Sequence, residues 1–329
     1  MAWTFIDHVT SYLHRKKIGD RRQPTLWPSE ASAVTPSGVV GKCRRAVFFR
    51  YLTENYFYYD GKYTNWKPLV DRLSKETLPF DPYLTWIGQA GQLYEESVVE
   101  LAKASGVFIE GQVPLYIQSH NVSGKLDLVI INPETGRKSL VELKSVFSYN
   151  ADIVMGKPTD RRRGDMGTPR DSNLMQVALY QWWLGERESF EDARLVYGAR
   201  DTGRYAEYNI SVEGNDIFYQ GTCPINAPKK KSEITIDSIL DQYLYIQNHL
   251  DSYKIPLKDY DLQYSDEKIE RLFRAGELTK IETQRVEKRL EQIAQGKKPN
   301  KQIEKGDWMC SRCQYRNICY DKEGTPREL

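Results

Sequence analysis

The chain has 329 residues, 40% of them apolar, enough for a genuine core in one large domain or two ordinary ones. A formal charge of +2 is too small to identify a nucleic-acid partner by itself, so any such surface must come from local clusters. No stretch approaches the roughly 18–20 apolar residues of a membrane span, and the first eight residues, ending at His8, lack the basic-then-apolar layout of a signal peptide. The expectation is a cytoplasmic protein, of a cell or of a phage-infected host, with no membrane partner.

Residues 1–42, with Pro24, Pro28 and Pro36 among serines and basic residues, predict a weakly structured arm leading to Cys43. Arg44 to Tyr59 is rich in aromatic residues, which predicts a helix packed on the core, with a minority of rings available to stack on single-stranded bases. Apolar residues recur at helical spacing from Thr85 to Ser105, and Gly106 follows where a helix stop would stand. Three strands are predicted next, Val107 to Ile117, Gly124 to Ile131 and Leu140 to Val146. The turn residues Asn132-Pro-Glu-Thr-Gly136 make the last two an antiparallel hairpin. Ser148 to Arg170 reads as a mobile loop, Asp171 to Leu184 as a helix, and Ala193 to Ala199 and Tyr205 to Val212 as strands. Beyond residue 232 the pattern turns helical, clearest over Ile234 to Leu250 and Thr279 to Ala294, and the charged run Asp266 to Gln295 fits a surface helical hairpin.

Basic residues cluster at Lys16-Lys17, Arg21-Arg22, Arg44-Arg45, Arg161-Arg162-Arg163 and Lys229-Lys230-Lys231, each readable as a DNA contact or as a solvated face. Five cysteines in a reducing compartment argue for metal ligation rather than disulfides. Cys43 stands far upstream of a C-x2-C-x5-C group at Cys310, Cys313 and Cys319, while Cys223 reads as a structural thiol. His8, His14, His120 and His249 form no spaced cluster, and no Walker-type phosphate loop is present.

The chemistry concentrates in Gly124-Lys-Leu-Asp127, Glu142-Leu143-Lys144 and Gln176-x3-Tyr180, in that order. Alternate residues of a strand share a face, so Glu142 and Lys144 point together, and Asp127 on the partner strand can face them. Two carboxylates beside an ammonium suit a hard divalent cation such as Mg²⁺ or Mn²⁺, with the lysine placed to orient or activate the attacking water. Gln176 and Tyr180, four apart on a helix, share a face and could hold the lysine, a phosphate or a base. Taken singly, each pattern is equally an ordinary exposed strand or a packed helix.

In combination they resemble the PD-(D/E)xK nuclease superfamily, in its RecB-type branch, over roughly Thr85 to Val212. The resemblance implies an α/β restriction-endonuclease-like core of order αβββαβ, with Asp127, Glu142, Lys144, Gln176 and Tyr180 as catalytic residues. It also implies a metal site at Asp127, Glu142 and Leu143. Where family members often carry a histidine four residues after a glycine in the first helix, this chain has Gly91 followed by Glu95 and Glu96, so Glu95 is assigned as the ligand with Glu96 as its alternative. The cysteine layout is similar to that of the iron–sulfur members, such as the AddB-type and CRISPR-adaptation exonucleases, and implies a 4Fe-4S cluster on Cys43, Cys310, Cys313 and Cys319 joining the two ends of the chain. Four thiolates equally hold Zn²⁺.

The expected organisation is an N-terminal arm and helical region (1–84), a nuclease core (85–212) and a mainly helical C-terminal region (213–329). The expected activity is metal-dependent hydrolysis of single-stranded DNA or duplex ends, in recombination, repair or phage DNA metabolism, with recombination or replication proteins as further partners. A DNA-binding or assembly module with weak or no cleavage, and a site-specific endonuclease, are the alternatives.

Overall fold

A computed structural model describes residues 23–79, 82–157, 166–185 and 190–328. In chain order its elements are β1 (Ser32–Thr35), β2 (Gly38–Gly41), α1 (Arg44–Tyr58), α2 (Lys67–Glu76), α3 (Pro82–Ala104), β3 (Phe108–Ile117), β4 (Val122–Ile131), β5 (Lys138–Val146) and α4 (Tyr149–Met155). Then follow α5 (Asp171–Gly185), β6 (Phe190–Ala199), β7 (Tyr205–Glu213), β8 (Asp216–Cys223), β9 (Lys230–Thr235), α6 (Ile236–Asp251), α7 (Asp266–Arg274), α8 (Lys280–Ala294), α9 (Trp308–Ser311) and α10 (Arg316–Cys319). They divide into two compact units, one drawn from residues 1–66 and 80–256, the other from 67–79 and 257–329.

The first unit is mixed α/β, built on a seven-stranded sheet in the order β3-β4-β5-β6-β7-β8-β9. Its neighbours pair antiparallel except β5 and β6, which are parallel. The predicted hairpin forms: Gly136, at φ +68°, donates its N–H to the Asn132 carbonyl, and the Asn132 side chain accepts from the Glu134 N–H at 2.9 Å. A parallel pair needs a long crossover, and here the segment carrying α4 and α5 supplies it. Helix α4 occupies part of the stretch read as a loop; Arg161-Arg162-Arg163 lie outside the described residues.

Helix α5 departs most from an ordinary surface helix. Leu174, Met175, Gln176, Val177, Ala178, Leu179 and Tyr180 are all buried, so every side of its middle turns is covered. The sheet covers one side, and the 3-10 turn Pro28–Glu30, strand β2 and α6 cover the other. Residues 23–42 are therefore not a loose arm. Leu26, Ala31 and Ala33 are fully buried, and Leu26 forms a parallel bridge to Val122. Glu30 accepts from Arg50 Nε at 2.6 Å, and the Arg50 guanidinium lies 4.1 Å over the Trp27 ring. Pro28 and Pro36, which suggested a loose arm, sit in a 3-10 turn and in the β1–β2 turn instead, because a helix buried on every side of its middle turns has to be covered.

Helix α1 buries Phe48, Phe49 and Tyr51, as the aromatic run predicted, and leaves Phe57 and Tyr58 exposed. Helix α3 lies on the opposite face of the sheet from this layer, where Tyr94, Val98, Val99 and Ala102 pack on Leu128, Val141 and Leu143. The sheet continues past Val212 into β8 and β9, which the sequence reading did not separate from the helical C-terminal region. Thr235 then caps α6, its hydroxyl accepting from the Ser238 N–H at 3.2 Å.

In the second unit α7 and α8 form the expected helical hairpin around Ile269, Leu278, Val286 and Ile303. Helix α2, despite its place in the chain, belongs here: the Leu78 N–H donates to Gln314 at 2.8 Å, and Arg327 pairs with Glu76 at 2.8 Å. Among the described residues, no helix is long and apolar enough to cross a membrane.

Gly41, at φ +90°, is the tightest point of the cover over α5. A Cβ there would run into the Ala31 carbonyl oxygen and stand 2.5 Å from the Met175 methyl. Gly41→Ala is expected to lower the unfolding free energy by about 3–5 kcal/mol, combining strain and overpacking. Gly38→Ala, where a Cβ meets nothing within 4 Å, should cost only about 1–2 kcal/mol. Denaturant unfolding of the two variants checks the difference.

Candidate active site

Strand β5 places Glu142 and Lys144 on one face and turns Leu143 into the apolar layer under α3. The paired register of β4 and β5 ends at Leu128 opposite Val141. One step further the backbone pairing gives way to a side chain: Asp127 Oδ2 accepts the Leu143 N–H at 2.7 Å. The sheet thus opens where the carboxylates meet, and Asp127 takes over an acceptor role that a backbone carbonyl would otherwise fill.

Glu142 keeps only 2% of its side-chain surface, against 26% for Lys144. Its Oε1 accepts from Lys144 Nζ at 2.5 Å and from Gln176 Nε2 at 2.7 Å. Its Oε2 is buried with no hydrogen-bond partner among the described residues. Burial pushes the Glu142 carboxyl up to about 8 against the pull of the Lys144 ammonium, with Asp127 and Glu95 adding to the rise. Burial also raises Asp127, opposed by Lys144 and by the Leu143 N–H. For Lys144 burial acts downward, yet the charges of Glu142 and Asp127 outweigh it and hold the ammonium above its ordinary value. Glu95, on α3, is raised first by burial and then by the nearby Asp127 charge. Three carboxylates thus share one ammonium. An orphaned buried oxygen in such a set is a place that a cation would satisfy.

The structure separates the two first-helix candidates. Glu95 is half-buried and close enough to Asp127 for the Asp127 charge to raise its carboxyl, whereas Glu96 is exposed and accepts from Gln92 at 2.8 Å. Gln112 on β3, which carries no motif in the sequence, donates its amide to Glu95 at 2.7 Å. A search by residue pattern passes over it because only its backbone conformation, at φ +53°, aims it there.

Gln176 and Tyr180 come together as their spacing predicted, but they hold Glu142 rather than Lys144. Gln176 Nε2 also donates to Tyr180 Oη at 3.1 Å, and the Tyr180 hydroxyl donates to the Lys125 carbonyl at 2.9 Å. This chain locks the Glu142 rotamer from below. Burial drives the Tyr180 hydroxyl far above its ordinary value, so it stays a donor. Gly124 is the close-approach point: a Cβ would meet Pro28 at 2.8 Å and the Tyr180 hydroxyl at 3.3 Å.

Two clefts adjoin these residues. One, of ≈ 720 Å³, is lined by Gly88, Gly91, Glu95, Gln112, Lys144 and Ser145 among others. The second, of ≈ 430 Å³, includes Trp27, Ser29, Ser123, Lys125, Gln176 and Tyr180.

Among the described residues, no group of three or more His, Cys, Asp or Glu side chains stands ready as a metal cage. In the acidic cluster the reason is visible, since Lys144 and the Leu143 N–H occupy oxygens of Glu142 and Asp127. The donor chemistry and the unpartnered Glu142 oxygen nevertheless suit a hard divalent ion. Cys43 heads α1 in the first unit; Cys310 and Cys313 lie on and just after α9 and Cys319 ends α10, in the second. Each of these four is half-buried.

Several basic clusters are committed internally. Arg44 donates to Gln242 at 2.8 Å, Arg45 to the Pro256 carbonyl at 2.6 Å, Lys229 pairs with Glu213, and Lys231 with Asp216 at 2.5 Å. Lys16-Lys17 and Arg21-Arg22 lie outside the described residues, as do His8 and His14.

No protein-family model matches the chain, and no curated protein does. Among solved structures, a chain described as "Crystal structure of SSO0001" aligns at 16% identity and a TM-score of 0.36, over 76% of this chain and 87% of that one. A likeness this slight decides neither fold nor activity.

The Glu142 carboxyl sets a pH dependence. Its folded value of about 8 lies above the ordinary 4.5, so the folded state holds the proton more tightly than the unfolded chain does. Its contribution to stability is therefore intact below pH 4.5 and is lost as pH rises through 8. In the presence of a chelator, Glu142→Gln should melt within about 2 °C of the parent at pH 5 and about 4–8 °C above it at pH 9. Thermal melts at the two pH values check both sign and window.

Proposed function

We propose that this chain is a divalent-metal-dependent DNA nuclease of the PD-(D/E)xK type, in the RecB-like branch, acting as an exonuclease on single strands or duplex ends. The observation that carries the reading is the meeting of Glu95, Asp127, Glu142 and Lys144 where β4 and β5 part, with Gln176 fixing Glu142 from a buried helix. The element order α3, β3, β4, β5, α5, β6, interrupted among the described residues by α4 and a 3-10 turn at Gln118–His120, supports the same assignment.

In this reading Glu95, Asp127, Glu142 and the backbone of Leu143 hold the cation. When bound, it would offset charge on the scissile phosphate and ease deprotonation of the attacking water. The chain's own residues do the rest. Lys144, partly exposed at the ≈ 720 Å³ cleft, presents an ammonium to negative charge building on the phosphate. Gln176 and Tyr180 keep Glu142 from turning away. Phe57 and Tyr58, exposed at the end of α1, remain candidates for base stacking. The cysteine reading, a 4Fe-4S cluster or a Zn²⁺ on Cys43, Cys310, Cys313 and Cys319, rests on sequence spacing and would be structural.

A DNA-binding module without cleavage is the second reading. The engagement of Glu142 by Lys144 and of Asp127 by the Leu143 N–H favours it, because both contacts must loosen for an ion to enter.

End-labelled single-stranded DNA incubated with Mn²⁺ should lose its label progressively with the intact protein. Lys144→Ala and Asp127→Ala should slow the loss at least about 100-fold while each variant keeps the folded circular-dichroism spectrum at the assay temperature. No cleavage by the intact protein with any divalent ion would support the binding module, and a discrete ladder from circular DNA would support an endonuclease. Separately, anaerobically purified protein should carry iron, sulfide and visible absorbance, all lost in Cys313→Ser; stoichiometric zinc without colour would assign Zn²⁺ instead.

A further inference from the structure

Strand β3 pairs with β4 in one register on both sides of Gln112: Gly111 lies opposite Leu128 and Val113 opposite Leu126. Gln112, which that register sets opposite Asp127, makes no such pair, and its backbone is left-handed at φ +53°. A glutamine has no local reason to adopt this conformation, unlike glycine or asparagine, so the surroundings must impose it. Among the described residues its side chain hydrogen-bonds into the site: Nε2 donates to Glu95 Oε1, on α3, at 2.7 Å. Gln112 and Glu95 both line the ≈ 720 Å³ cleft with Lys144. Asp127 is thus flanked by two interruptions of the sheet, the unpaired Gln112 on β3 and the end of the β5 ladder at Val141. Each interruption turns a donor onto a carboxylate of the cluster, the Gln112 amide onto Glu95 and the Leu143 N–H onto Asp127.

We propose that Gln112 is a positioning residue, whose left-handed backbone turns its amide onto Glu95 and thereby aims that carboxylate at Asp127 to complete a divalent-cation site. The proposal rests on the metal-site reading above and assigns a role to a residue outside its motifs. Backbone strain at a functional site is the expected signature of such a device. The amide neutralises no charge. It removes one of the free orientations of a half-exposed glutamate that is repelled by Asp127, which raises affinity by cutting the ordering cost at binding.

The test compares the full chain with Gln112→Gly and Glu95→Gln. Glycine accepts the left-handed backbone without strain and removes the side chain, amide included. Mn²⁺ binding is followed by electron paramagnetic resonance of the free ion, and melting is recorded in a chelator. Gln112→Gly should bind Mn²⁺ about five-fold more weakly, the scale of one hydrogen bond, while melting no lower than the parent. With labelled DNA, its half-saturating Mn²⁺ concentration should rise by a similar factor, with the rate at saturating Mn²⁺ preserved. Gln112→Asn, which tolerates the same backbone and keeps a shorter amide, should fall between the two. Unchanged Mn²⁺ affinity in Gln112→Gly, with the parent binding normally, would overturn the positioning role alone. Unchanged affinity in Glu95→Gln would overturn it as well. A parent chain that binds no Mn²⁺ would overturn the metal-site reading and this proposal together.

Discussion

The constraint on which the rest of the first unit depends is the burial of the Glu142 carboxylate beside its own lysine. Removing a carboxylate from water costs several kcal/mol, and an ion pair seldom recovers that cost in full. The Lys144 contact and the Gln176 amide serve one oxygen, and the other is left without a hydrogen bond among the described residues. Such an arrangement is poor engineering for stability. It makes sense as a fixed electrostatic environment kept ready for a ligand, and its cost must be met by packing elsewhere.

That packing explains features that otherwise look unrelated. To bring Gln176 to Glu142, α5 lies along the sheet, mainly against β6 and β7 with its Gln176 side reaching β5, and to hold its other faces dry it must be covered in turn. The cover is the segment from Leu26 to Gly41, pinned by the Leu26 bridge to Val122 and by Arg50 on Glu30. Residues nearly 150 positions apart in the chain thereby share one requirement. The same logic accounts for Gly41 and Gly124, where a single methyl would push the cover away from Met175 or from Tyr180.

What could be read from the sequence was what local chemistry dictates. The β4–β5 turn, the alternation that pairs Glu142 with Lys144, and the four-residue spacing of Gln176 and Tyr180 are all set within a few residues. What could not be read depends on distant partners. The proline-rich segment before Cys43 resembles disorder until α5 is seen to need a cover. Strands β8 and β9 are half-polar, so neither alternates cleanly. Lys229 and Lys231 look like a basic patch until β7 and β8 bring Glu213 and Asp216 beside them. Gln112 could not be found at all, because its meaning lies in a dihedral angle rather than a residue type.

The charge balance of the cleft follows from the same burial. With Glu95, Asp127 and Glu142 ionised against one ammonium, the cluster would carry two uncompensated negative charges in a partly dry cavity. Burial and mutual repulsion raise all three carboxyls, so without a cation the cluster favours taking up a proton, most strongly at Glu142. A proton and an incoming cation are therefore alternatives for one set of oxygens. Lys144 and the Leu143 N–H must give way for a cation, while Gln176, braced by Tyr180, grips the Glu142 carboxyl from the buried side and confines the rearrangement to the open edge of the cluster. The rigidity invested in α5 and its cover is what keeps a change of charge at this cluster from becoming a change of shape beyond it.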